Sequence, residues 1–201
     1  MGAYAELIAY QRETEALGQV AGRLSWDQET MMPRGAAAQR AEESAAMQGV
    51  LHARRSDPRI ADWLAAAEAE LAQDDTVARA QLREIRRGYE RTLKVPAALA
   101  MALARETALA QGIWAEARAE EDVSRFLPAL SEVLRLRREE GAALAGSGGD
   151  AYDALLQDYE PEATAAELAA MFGAMRPRLV ALRDKVQGAG EVPGLAGEYD
   201  P

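Results

Sequence analysis

The chain of 201 residues carries a formal net charge of −10, from 23 Lys and Arg against 33 Asp and Glu, with 49% hydrophobic and 28% charged residues. That acidity argues against nucleic acid and anionic membrane as partners, and the hydrophobic share excludes the usual disordered composition. Cysteine is absent, so disulfides and thiolate metal sites are excluded and a reducing cytoplasm is the expected location.

At this length folding buries about 70% of the unfolded chain's surface. Aromatics are only 5%, so the core is built from alanine and aliphatic side chains on closely approaching helices, an all-α array of about seven helices. Tyr4, Leu7, Ile8, Leu17, Val20 and Leu24 recur at helical spacing and predict a helix over about 3–29. Pro33 and Gly35 interrupt it, and a second helix is expected over about 36–54. Ser56-Asp57-Pro58 combines a cap with proline at a first helical position and starts a short helix through Trp63, Leu64 and Leu71. Asp74 and Asp75 restart the chain, Leu82, Ile85, Tyr89 and Leu93 mark the next helix, and Val95-Pro96 ends it.

The following helix places Leu99, Ala102, Leu103, Leu109, Ala110 and Ile113 on one side, with Trp114 at the edge. Ser124 is the expected cap of a further helix containing Leu127, Leu130, Val133 and Leu134, with Pro128 tolerated near its start. Gly146-Ser147-Gly148-Gly149 closes that segment as a flexible connection. Thr164-Ala165-Ala166-Glu167 reads as a capping box, followed by a regular stripe of Leu168, Met171, Phe172, Met175, Leu179, Leu182 and Val186. Pro177 inside it predicts a kink over 173–177, and Gly188-Ala189-Gly190 stops the helix. No segment reads as a strand, a signal peptide or an 18-residue membrane span, so a soluble protein with no membrane partner is expected.

Three blocks carry a family resemblance. The first is Leu24-Ser25-Trp26-Asp27-Gln28-Glu29-Thr30-Met31-Met32-Pro33-Arg34-Gly35-Ala36. The second is Ile113-Trp114-Ala115-Glu116-Ala117-Arg118, continuing through Phe126 and Pro128 to Leu136-Arg137-Arg138-Glu139-Glu140. The third is Ala151-Tyr152-Asp153-Ala154-Leu155-Leu156-Gln157-Asp158-Tyr159-Glu160-Pro161, leading into Thr164–Leu168 and Phe172. In this order they resemble the front part of the carboxypeptidase Taq family of zinc metallocarboxypeptidases. The resemblance implies a mainly helical cytoplasmic protein whose complete relatives remove C-terminal residues from peptides with a divalent metal, zinc or cobalt, and often form homodimers. Glu162 departs from the family, which often has glycine there.

The larger departure is the absence of His-Glu-x-x-His, the helical pair of imidazoles that binds metal beside a glutamate base. His52 is the single histidine. The expectation is therefore an N-terminal portion of such an enzyme, inactive alone, with a helical region over 1–187 and an open-ended tail over 188–201 leading to an absent catalytic region. A peptide substrate would engage only with that region present.

No catalytic or metal-binding residue is assigned. His52, beside Arg54 and Arg55, is expected to meet free carbonyls at a helix terminus. A di-iron bundle needs Glu-x-x-His, and the residue three before His52 is Gly49. Glu42-Glu43, Glu120-Glu121-Asp122 and Glu139-Glu140 read as solvated faces, and Met31-Met32 as core filling. Trp26 with Asp27, and Asp158-Tyr159-Glu160, are the structural or cleft candidates: substrate contacts in one reading, a packed indole and capping carboxylates in the other. The alternative to the peptidase portion is a noncatalytic helical interaction module that binds another protein through exposed apolar surface.

Overall fold

A computed structural model describes residues 2–72 and 74–189, and among them the chain has eight α-helices and no strand. They are α1 (Ala3–Thr30), α2 (Ala37–Arg55), α3 (Arg59–Glu70), α4 (Thr76–Lys94), α5 (Ala97–Ala119), α6 (Val123–Ala145), α7 (Ala151–Leu156) and α8 (Ala165–Gln187). The all-α expectation holds, and the helix added to the seven read from sequence is α7, which at six residues is too short to show a stripe. The chain divides into two compact units, Met1–Ala154 and Leu155–Pro201. Residues 190–201, the larger part of the expected tail, lie outside the described residues.

In the first unit Leu7 of α1, Ile60, Leu64 and Ala67 of α3, and Leu82 of α4 form a buried cluster, flanked by Tyr10, Trp63, Ile85 and Tyr89. A second buried set runs through alanines: Ala41 and Ala45 on α2, Ala100, Ala108 and Ala110 on α5. Small side chains let helix axes approach, and α2 packs most extensively against α5. Gly49 belongs to this contact, because a Cβ there would meet the Met101 sulfur at 3.1 Å.

The helix ends correct two sequence readings. Asp122, not Ser124, caps α6: its carboxylate accepts the Arg125 amide at 3.4 Å, while Ser124 donates its hydroxyl to Asp122 at 2.5 Å. Ser124 already has helical surroundings one residue inside the end, so the non-helical cap position falls to the residue before Val123. Between α2 and α3 the Ser56 hydroxyl turns back to the His52 carbonyl at 2.8 Å, and the Asp57 carboxylate accepts the Arg59 amide at 2.9 Å. Leu71 falls just outside α3. Asp75, one of the two aspartates read as restarting the chain, caps α4 through the Ala78 amide at 3.0 Å. Gly146 and Gly148 take left-handed backbones, φ 65° and 88°, which end α6 without a Cβ clash.

Asp57 also anchors an aromatic and cationic knot. The Tyr10 hydroxyl donates to the Arg54 carbonyl and to Asp57 at 3.0 and 3.2 Å, the Arg54 guanidinium lies 4.1 Å from the Tyr10 ring centre, and the Arg59 guanidinium lies 5.3 and 5.2 Å from the Tyr10 and Trp63 ring centres. Hydrogen bonds from Arg59 hold the Asp57 carboxyl down at about 2, against an ordinary value of 3.8. A depressed folded-state pKa adds stability that is complete above the unfolded value and disappears as pH falls through the folded one. Asp57→Asn is therefore expected to destabilise the protein near neutrality, with the gap from the parent closing as pH falls from about 4 to about 2. Denaturant melts across that window test this, and a gap that does not change with pH would refute it.

In the second unit Gln157 bridges the loop before α8, donating to the Ala163 carbonyl at 2.9 Å and accepting the Glu162 amide at 2.7 Å. Glu162 has φ 72°, a left-handed backbone that costs a Cβ-bearing residue about 1–2 kcal/mol. This accounts physically for glycine being the easier residue at that turn. The capping box is present in full, with the Thr164 hydroxyl and Glu167 carboxylate each accepting the other's backbone amide. α8 continues helically through Pro177 to its Gly188 cap. Met171, Phe172, Met175, Leu179, Leu182 and Val186 of its stripe are all exposed.

Candidate functional site

The N-terminal signature block forms the end of α1 and its turn into α2, and the turn is organised by a residue the motif reading passed over. Arg40 is almost fully buried; its guanidinium binds Asp27 at 2.5 Å, Glu43 at 3.0 Å and the Leu24 carbonyl. Asp27 thus grips a buried cation across the turn, while the amides of Met31 and Met32 are taken by its backbone carbonyl at 2.9 and 2.8 Å. The expected side-chain capping by Asp27 is replaced by this ion pair, because α2 brings a guanidinium within reach. Two further expectations are corrected: Trp26 is 62% exposed rather than packed, and Met31, 70% exposed, fills no core. Helical phase turns Trp26 away from the Leu24 side of α1, and Met31 stands past the helix end as its C-cap.

Beside this turn, in the first unit, lies a half-open groove of about 390 Å³. Its floor is the α5 face of Ala100, Leu103, Ala104, Thr107, Ala108 and Gln111. Ser25, Gln28 and Glu29 of α1 and Ser44 and Gln48 of α2 form one side; Arg137 and Glu140 of α6 also line it. Gln28 is fixed in place by donating to the Ala108 carbonyl at 2.7 Å and to the Gln111 carboxamide oxygen at 3.3 Å. Arg137 donates to Glu140 at 2.7 Å, with the carboxylate the more buried partner. Ala21, Leu24 and Met47 complete the lining, so carboxamides and hydroxyls stand beside aliphatic side chains and the groove can meet both polar and apolar groups. Sequence reasoning missed Arg40, Gln28, Gln48 and Gln111; the available signal was long polar side chains placed beside apolar stripes.

Asp158, Tyr159 and Glu160 stand in the second unit, in the turn after α7. Their amides bond back to the carbonyls of Leu155 and Leu156 at 2.9–3.2 Å, and Tyr159 is 83% exposed. The three share one turn, on a different unit from Trp26 and Asp27.

The acidic pairs are engaged by arginines. Glu42 takes two hydrogen bonds from Arg105, at 2.7 and 2.8 Å, which lower its pKa; Glu120 pairs with Arg125 at 2.7 Å and Glu139 with Arg135. His52 Nε2 lies 2.7 Å from the Val95 carbonyl, a free carbonyl at the end of α4 rather than of its own helix. Among the described residues no group of three His, Asp or Glu side chains is placed to hold a metal ion. The donors among the described residues do not fit a catalytic divalent metal. No helix among the described residues is long and apolar enough to cross a membrane.

A family model described as Carboxypeptidase Taq (M32) metallopeptidase matches residues 6–195. Thermostable carboxypeptidase 1 of Thermus thermophilus is 38% identical over 209 residues, covering 99% of this chain and 41% of the relative. Among solved structures, metallocarboxypeptidase 1 of Trypanosoma cruzi superposes with a TM-score of 0.70 at 30% identity, covering 96% of this chain and 40% of that one. The Pyrococcus furiosus carboxypeptidase gives 0.75 at 26% identity, with 95% and 38% covered. The chain therefore spans about two-fifths of the length of these relatives.

Proposed function

Because the chain belongs to the carboxypeptidase Taq (M32) metallopeptidase family, we propose that it is the N-terminal helical portion of a cytoplasmic metal-dependent carboxypeptidase, serving as scaffold and wall of the substrate cleft. The observation that supports this reading is a match running nearly the whole chain yet only about two-fifths of each relative. In the complete enzyme a divalent metal, zinc or cobalt, and the peptide-bond chemistry belong to the other three-fifths, and two copies form a homodimer. A chain with one histidine and no thiol cannot assemble the imidazole-based metal set of such peptidases. The purified 201-residue chain is accordingly expected to leave a blocked dipeptide uncleaved, with or without added zinc or cobalt. Reproducible hydrolysis that persists in chelator would overturn both the inactivity and the metal dependence.

One observation favours a second reading, a noncatalytic interaction module: the exposed stripe of six large apolar side chains on α8. Contiguous apolar surface of that kind promotes association. In sedimentation this reading expects concentration-dependent self-association or dye binding that Met175→Glu abolishes. A concentration-independent monomer without dye binding would exclude it.

A further inference from the structure

We propose that the exposed face of α8 is a docking seam for a partner protein's amphipathic helix, one whose apolar edge is flanked by carboxylates. This docking rests on the interaction-module reading of α8 and adds the chemistry of the partner. Leu168, Phe172, Met175, Leu179, Leu182 and Val186 follow one another at alternating steps of four and three residues, the repeat with which one helix packs along another. Leu168 is half-buried and the other five are exposed, as is every residue over 169–189. At 1.5 Å per residue the seam is about 27 Å long. A helix owes most of its stability in water to the packing of such a face.

The residues beside the seam are cations. Arg176 and Arg183 each follow a seam residue, Met175 and Leu182, and Arg178 and Lys185 each precede one, Leu179 and Val186, so both edges of its C-terminal half are basic. Arg183 meets the neighbouring Asp184 at 2.7 Å, while Arg176, Arg178 and Lys185 have no ion pair among the described residues. A surface depression of about 450 Å³ is lined by Phe172, Met175, Leu179 and Val180 together with Arg176 and Arg183, so apolar and cationic groups face one occupant. The helix dipole accounts for Lys185 in the last turn, but its influence fades beyond that turn and does not reach Arg176 or Arg178.

Charge selects the occupant. A second copy laid along the seam, parallel or antiparallel, would bring these cations against their own counterparts, which disfavours self-pairing. An anionic membrane would attract α8 alone, where four cations stand against Glu167 and Asp184, but the whole chain carries −10 and is repelled. A helix with apolar side chains at the seam steps and glutamates beside them answers both features at once.

The test is calorimetric titration of the 201-residue chain with three synthetic helical peptides of about three heptads each, sharing one apolar seam and bearing Glu, Gln or Lys at every flanking position. The Glu peptide is expected to bind one to one. The Gln peptide should bind about tenfold more weakly or worse, the worth of four exposed ion pairs, and the Lys peptide not at all. Reversing the four cations together (R176E, R178E, R183E and K185E) should exchange the preferences for the Glu and Lys peptides, a swap that an unfolded helix cannot give. Leu179→Glu should abolish binding of all three. Equal affinity for the Glu and Gln peptides would overturn the proposal and leave the interaction-module reading in place. Failure of every peptide to bind would overturn it too, and absence of dye binding in the same sample would take the interaction-module reading with it. Dimerisation of the chain tighter than its binding of the Glu peptide would make a second copy the occupant, and tighter binding to phosphatidylglycerol vesicles would make it a membrane; either result refutes the proposal.

Discussion

Leu64→Ala is expected to destabilise the first unit by about 3 kcal/mol, the usual loss when a fully enclosed leucine leaves a cavity that its neighbours fill only partly. Leu64 is completely buried among Leu7, Ile60, Ala67 and Leu82, so three helices line the void at once. For a unit of this size the loss corresponds to a fall in melting temperature of about 6–12 °C. Calorimetry beside Val77→Ala, at an exposed site on α4 where little change is expected, isolates the cavity effect. Equal shifts for the two variants would show that the cluster is not the core of the unit.

Arg40→Met is the second large effect. The methionine keeps much of the apolar stem but strands the Asp27 carboxylate and the Leu24 carbonyl at the α1–α2 turn. Breaking a fully buried pair by removing one partner costs about 3–5 kcal/mol. Asp27 is 41% exposed and recovers some hydration, so a loss of about 2 kcal/mol is expected. Asp27→Asn and the double variant complete a cycle, and a coupling of about 1 kcal/mol or more is the expected signature. A coupling near zero would mean that Arg40 acts through its stem alone.

Helix existence and order were legible because Leu7, Leu64 and Leu82 sit in stripes whose spacing is a local property of the chain. The restart at Asp74–Asp75 and the Thr164–Glu167 box were legible for the same reason: the groups that make them lie within a few residues of one another. What escaped depended on the approach of distant segments. Trp26 looked like a core residue by type, yet its helical phase points it outward; Asp27 looked like a cap, yet its partner is thirteen residues on, across a turn. The groove is made by α1, α2, α5 and α6 together, and no single helix announces it. Ser124 misled because a hydroxyl two residues from a carboxylate is an equally good cap on paper, and only the backbone decides between them.

The order in which the first unit packs sets a schedule for its birth. Leu7 is enclosed by Ile60, Leu64 and Leu82, the last of them 75 residues further along. At a synthesis rate of about 5–20 residues per second, the apolar side of α1 waits about 4–15 s for α4 to be made. Helical assemblies close in microseconds to milliseconds once their parts are present, so translation, not folding, governs how long that surface stays open. The nascent chain thus offers chaperones a window fixed by the distance between α1 and α4, and lengthening the segment between them would widen it without altering the finished fold.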